Sequence, residues 1–186
     1  MNDISITNST YLTAIKYACT YHALQKYGNN PYYVHFEQIE NILIREKYLN
    51  QDFHDDDQTQ LYLRTTVWLH DILEDTSLSF NDIKKQFGET VAEAVYLLTE
   101  YKGKNRKERK PKQYYIDIGK NYYAGIVKLA DRISNLENST NNSMLNMYFR
   151  EQEEFVTIYQ QNPQLFDKLN SVITNFFIKN GFNNLA

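Results

Sequence analysis

Apolar residues recur along this chain at helical spacing, in blocks cut apart by short polar stretches. Tyr11, Ala14, Ile15, Ala18 and His22 share one face of a helix expected over residues 10–27, with Ser9 or Thr10 as its cap and Gly28 just past its end. An Asn29-Asn30-Pro31 turn leads to a second helix over about 36–48, with Ile39, Ile42 and Leu43 inward. Residues 50–60 are polar and acidic and read as a solvated loop, its Asp55, Asp56 and Asp57 favouring the positive end of the helix that follows. Residues 58–76 then hold no Pro or Gly, and Leu61, Leu63, Val67, Trp68, Leu69, Ile72 and Leu73 fill most of the run. A helix apolar on nearly every side is a buried helix. Ser79 and Asp82 resemble a capping box for a short helix stopped by Gly88, and further helices are expected over about 89–101, 112–120 and 125–136. Two more, about 144–160 and 164–180, are separated by Asn162-Pro163 and ended by Gly181. No period-two strand pattern and no internal repeat survives, so the fold class is all-α.

Length and charge narrow the picture. The 186 residues fit one domain spanning 1–186. A net charge of -3 and a pI near 5.8 argue against a protein that coats nucleic acid. Positive charge is concentrated in residues 102–112, with seven Lys or Arg and one Glu, either a solvated loop or a phosphate-attracting flap. The single Cys19 excludes an intramolecular disulfide and a cysteine zinc site, and points to a reducing cytoplasm. The first ten residues carry no basic, apolar leader, and no run reaches the roughly eighteen apolar residues of a membrane span. Neither secretion nor a membrane association is expected.

Candidate chemistry lies in the buried run. His70, Asp71, Glu74 and Asp75 fall within six consecutive positions, and charges on a buried helix are costly unless paired or bound to a metal. On a continuous helix His70 lies over Glu74 and Asp71 over Asp75. His35 stands at the entrance of the second helix, and Asp131 follows buried-type positions, with Asn135 one turn on. His35, His70, Asp71 and Asp131 make a two-nitrogen, two-oxygen donor set suited to Mn, Fe, Co or Ni. A divalent ion held there would acidify a water and shield phosphoryl oxygens, with Glu74 and Asp75 placed to orient or deprotonate that water. His22 fits a hydrogen-bonded core histidine better than a ligand, and a second site from His54 with the neighbouring acids fits less well than a loop.

These residues resemble the H…HD…D signature of the HD superfamily of metal-dependent phosphohydrolases, and more closely its alarmone hydrolases. Pro31-Tyr32-Tyr33-Val34-His35 matches their Pro-Tyr-x-x-His segment. Glu74-Asp75-Thr76 follows the HD pair, Phe87-Gly88 comes next, and Lys-Leu-Ala-Asp-Arg-x-x-Asn appears at residues 128–135. The resemblance covers roughly residues 14–155. It implies a single HD-type bundle of about seven to nine helices that cleaves the 3′-pyrophosphate from guanosine tetra- or pentaphosphate. It further implies one metal, typically Mn2+, on His35, His70, Asp71 and Asp131, with Glu74 and Asp75 handling the water. Lys26, Arg132, Asn135 and Tyr148 would contact substrate, and Glu151 falls near a family Glu.

Several rim positions depart from the family. Phe36 replaces the usual Pro, Lys26-Tyr27 replaces a basic pair near the guanine nucleotide, and Leu97 and Thr99-Glu100 replace Gly and Thr-Lys. An HD hydrolase of another nucleotide or phosphoester, or a nucleotide-sensing protein without catalysis, is the alternative. A plain salt-bridged core would instead pair His70 with Glu74 and Asp131 with Arg132 or Lys128. The expected partner is a small nucleotide or phosphoester rather than a nucleic acid, and an oligomer is left open.

Overall fold

The computed structural model describes residues 7–51, 57–139 and 141–182, so His54, Asp55 and Asp56 lie outside the described residues. The chain divides into two compact units, Met1–Glu100 and Tyr101–Ala186.

In the first unit, helix α1 (Asn8–Tyr21) starts before the expected cap and ends well short of residue 27. Thr7 and Thr10 cap it reciprocally, each side chain accepting from the other's backbone N–H. Gly28, at φ +60, serves a different purpose from the expected helix stop. It turns the chain between β1 (Lys26–Tyr27) and β2 (Asn30–Pro31), an antiparallel ladder pairing Lys26 with Pro31 and Tyr27 with Asn30. Strands of two residues are too short to leave an alternation pattern. Helix α2 (Tyr33–Arg45) follows, then α3 (Gln58–Leu69), whose first turn Asp57 caps through Gln60 N–H at 3.1 Å. The expected continuous helix to residue 76 is broken: α3 ends at Leu69, and a single turn, α4 (Ile72–Asp75), resumes after Asp71. Helix α5 (Phe80–Phe87) has the capping box read from Ser79 and Asp82, Gly88 stops it at φ 87, and α6 (Glu89–Leu98) completes the unit.

Helix α3 is the centre of this unit, packed by α1, α2 and α6. Ala14 and Ala18, both fully buried, let α1 approach closely. The buried Glu40 carboxylate accepts from Trp68 Nε1 at 2.8 Å, from Tyr11 Oη at 3.1 Å and from Arg64, joining α1, α2 and α3. A charge can be kept inside only with such partners.

The second unit is built from α7 (Arg106–Arg109), α8 (Lys112–Lys120), α9 (Tyr122–Glu137), α10 (Asn142–Arg150), α11 (Gln152–Gln161) and α12 (Pro163–Lys179). Asparagines 121, 141 and 162 cap α9, α10 and α12, and Pro163 opens α12. Helix α8 packs on α11, and α9 on α12. The basic segment is partly ordered, with Asn105 capping α7 and Tyr101 N–H donating to the Arg109 carbonyl at 3.0 Å. The described residues thus hold twelve helical segments, α1 to α12. The excess over seven to nine comes from the splits at 70–71 and at Glu151 and from the one-turn α7. Among the described residues no helix is long and apolar enough to cross a membrane.

Gly119 lies where α8 runs close against α11: a Cβ there would lie 2.7 Å from the Ile158 carbonyl oxygen. Gly119→Ala should lower stability by about 1–3 kcal/mol, read by urea unfolding. An unchanged midpoint would show that the two helices do not pack this tightly.

Candidate active site

In the first unit the polar chemistry collects at the break between α3 and α4. His70 Nδ1 lies 2.9 Å from the carbonyl of Val67, the group a continuous helix would give to Asp71 N–H. The imidazole takes that place in the ladder, and the helix stops there. A bond from Nδ1–H to a carbonyl leaves the lone pair of a neutral imidazole on Nε2. That atom faces Asp71 Oδ2 at 3.1 Å. Two lone-pair atoms at this separation attract only with a proton or a cation between them.

His35, in the first turn of α2, supplies the third donor. Ligand atoms of His35, His70 and Asp71 all lie within 4.8 Å of one another, so the three could hold a metal ion. Both histidines are buried and Asp71 is half-buried, so the donors are shielded on one side and reachable on the other. Two imidazoles and a carboxylate suit a first-row divalent metal.

Aromatic rings fix these donors. The Tyr32 hydroxyl donates to Asp71 Oδ2 at 2.7 Å, and the Tyr27 ring stacks on His35 with centroids 4.5 Å apart. Phe36, fully buried, stands edge-on to His70 at 5.4 Å and packs against His22, Tyr32, His35 and Trp68. The residue that sequence comparison marks as a departure is the hub of the cluster. Neither it nor Tyr32 was assigned a role from sequence, although Tyr32 lies one turn before His35.

On α4 both carboxylates are exposed. Glu74 accepts from Glu100 N–H at 3.2 Å. Shielding by neighbouring groups, and next the negative charge of Asp71, raise the Asp75 carboxyl above its ordinary range, while His22, Gln25 and His70 oppose the rise. A carboxylate so raised is the better proton acceptor. His22 is buried and hydrogen-bonded to Gln25, as a core histidine should be. Lys26 is exposed on β1.

In the second unit Asp131, buried on α9, accepts from Asn135 Nδ2 at 2.5 Å and from Lys128 Nζ at 3.2 Å. Arg132 is turned into the unit's interior. It pairs with Glu151 at 3.0 Å, reaches the Tyr148 carbonyl at 3.4 Å, and lies over the Tyr148 and Phe155 rings at 4.5 and 4.2 Å. That carbonyl would serve Gln152 N–H in an unbroken helix, and here α10 gives way to α11. Tyr148 is buried as well, and burial, then Asp131, raises its phenol above the ordinary value.

A solved structure of a metazoan ortholog of SpoT that hydrolyzes ppGpp matches with a TM-score of 0.73 at 24% identity, covering 97% of this chain and 100% of that one. The chain has that fold. It is 28% identical over 132 residues to guanosine-3′,5′-bis(diphosphate) 3′-pyrophosphohydrolase MESH1 of Drosophila melanogaster, covering 69% of each chain. It is also 28% identical over 133 residues to MESH1 of Danio rerio, covering 70% of this chain and 69% of that one. No family model matches the chain.

Burial alone would push the Glu151 carboxyl up, but bonds and positive charge from Arg106 and Arg132 outweigh it and hold the carboxyl below its ordinary value of 4.5. The stability linked to this group is present above that value and is lost as pH falls through the lowered folded value. Glu151→Gln should therefore be less stable than the parent at neutral pH, with the gap closing as pH falls below 4.5 in urea unfolding. A gap constant with pH would show that the carboxyl is not held in this way.

Proposed function

We propose that this protein is a metal-dependent phosphohydrolase acting as a guanosine 3′,5′-bis(diphosphate) 3′-pyrophosphohydrolase. The observation that carries the proposal is the convergence of His35, His70 and Asp71 within 4.8 Å. The similarity to MESH1, named for this reaction in two animals, supports the choice of substrate. Asp131 is proposed as a fourth ligand on the match of residues 128–135, so that 1–186 would act as one functional domain in the cytoplasm, with Mn2+ as the metal.

A divalent ion in this donor set would lower the pKa of the attacking water and offset charge on the phosphoryl oxygens. Glu74 and Asp75 orient the water and accept its proton as its oxygen bonds to phosphorus. The bond from that phosphorus to the ribose 3′ oxygen breaks, and this oxygen takes up a proton from solvent, leaving pyrophosphate and a 3′-hydroxyl. Tyr32 holds Asp71 by donating at 2.7 Å to Oδ2, the oxygen that faces His70 Nε2. Asn135, beside Asp131, is assigned to substrate, as is the exposed Lys26. Arg132 and Tyr148, packed on each other, would support that side rather than reach out from it.

A second substrate, another nucleotide or phosphoester, is favoured by Tyr27, whose ring covers His35 where related proteins carry a basic residue. Hydrolysis assays with added Mn2+ on guanosine tetraphosphate, nucleoside mono- and triphosphates and a generic phosphoester separate the two. Pyrophosphate released from guanosine tetraphosphate alone is the expected result, and cleavage of another member would move the substrate. Asp71→Ala should abolish metal binding and turnover with the helical circular dichroism unchanged. Turnover equal to the parent would end the metal-site proposal.

A further inference from the structure

Asp131 is held by its own helix. Lys128 stands three residues before it and Asn135 four residues after it, and side chains at those spacings are neighbours on one helix face. Lys128 Nζ donates to Oδ2 at 3.2 Å, and Asn135 Nδ2 donates to Oδ1 at 2.5 Å. Each oxygen of the carboxylate therefore has a donor supplied by α9. Arg132, the cation next in sequence, turns the other way, to Glu151 and to the Tyr148 and Phe155 rings.

The Lys128–Asp131 pair is withdrawn from the surface, with each side chain 12% exposed. An exposed ion pair contributes little, because water screens it. Away from water the same two charges act on each other strongly, and removing one strands the other. A carboxylate offers about four acceptor positions on its two oxygens, so a bond from Lys128 does not by itself close Asp131 to a divalent ion. It does set the charge that the ion meets. An ammonium fixed on Oδ2 repels a second cation on the same group.

We propose that Lys128 is the built-in counter-charge of Asp131: its ammonium orients the carboxylate and weakens the hold of a divalent ion on it. The proposal rests on the reading of Asp131 as a metal ligand, whereas the contact itself does not. Lys128 is a positioning residue that acts through Asp131. It keeps a buried carboxylate charged and aimed before the ion arrives, and the ion then binds less tightly and exchanges more readily.

Lys128→Met keeps most of the side-chain length and removes the charge, and Lys128→Arg keeps the charge. Mn2+ binding is read from the electron paramagnetic resonance signal of the free ion, with no substrate present. Lys128→Met should bind Mn2+ roughly tenfold more tightly than the parent, and Lys128→Arg about as the parent does. Unchanged or weaker binding in Lys128→Met, or equal tightening in both variants, overturns the proposal. In the metal-free protein, Lys128→Met and Asp131→Asn should each lower the urea midpoint, and the double variant should lose less than the two losses together. Simple additivity would show that Lys128 does not hold Asp131, and overturns the proposal as well. Asp131→Asn should also weaken Mn2+ binding. If it leaves binding unchanged while Asp71→Ala abolishes it, the ion does not touch Asp131. That result removes the fourth ligand and this proposal with it, and spares the cluster of His35, His70 and Asp71. A parent that binds no Mn2+ defeats the metal-site reading as a whole.

Discussion

The bond from His70 Nδ1 to the Val67 carbonyl is the contact on which the polar centre of the first unit depends. Neighbouring side chains on an α-helix diverge by about 100°. His70 and Asp71 on an unbroken helix could not face one point. By taking a carbonyl out of the ladder, the imidazole ends α3, and the chain turns so that the Asp71 carboxylate comes to its Nε2. The same turn begins α4 and carries Glu74 and Asp75. A single buried hydrogen bond thus sets the tautomer of the histidine, the place of the helix break and the convergence of adjacent donors.

The second unit repeats the device with a different side chain. Arg132 reaches the Tyr148 carbonyl where α10 passes into α11, and its charge is met by Glu151 and by two aromatic faces. A guanidinium inside a helical unit must find acceptors, and the carbonyls at a helix end are the nearest ones. In both units a polar side chain at the core, rather than Gly or Pro, sets the helix boundary.

Rings do the work that charge cannot do near the donors. Phe36, Tyr32 and the His22 imidazole pack against one another, Tyr32 and Phe36 also meet His35 and Phe36 meets His70, and they hold the histidines with few rotatable bonds. Further polar partners would each have needed an acceptor of their own. The hairpin of Lys26–Tyr27 and Asn30–Pro31 places Tyr27 over His35. A segment that looks like a loop in the sequence is part of the support.

The amino-acid sequence by itself determined the helical class, most helix positions, the Ser79–Asp82 cap and the candidate donors His35, His70 and Asp71. Periodicity and caps are local properties, and a buried run bearing four polar groups is visible without coordinates. The break at His70-Asp71, the burial of Arg132 and the tie from Tyr32 to Asp71 were decided only by the tertiary structure. Each depends on where a carbonyl or carboxylate from another part of the fold comes to lie. Residue 32 and residue 71 meet because α2 packs on α3, and no spacing along the chain records that distance.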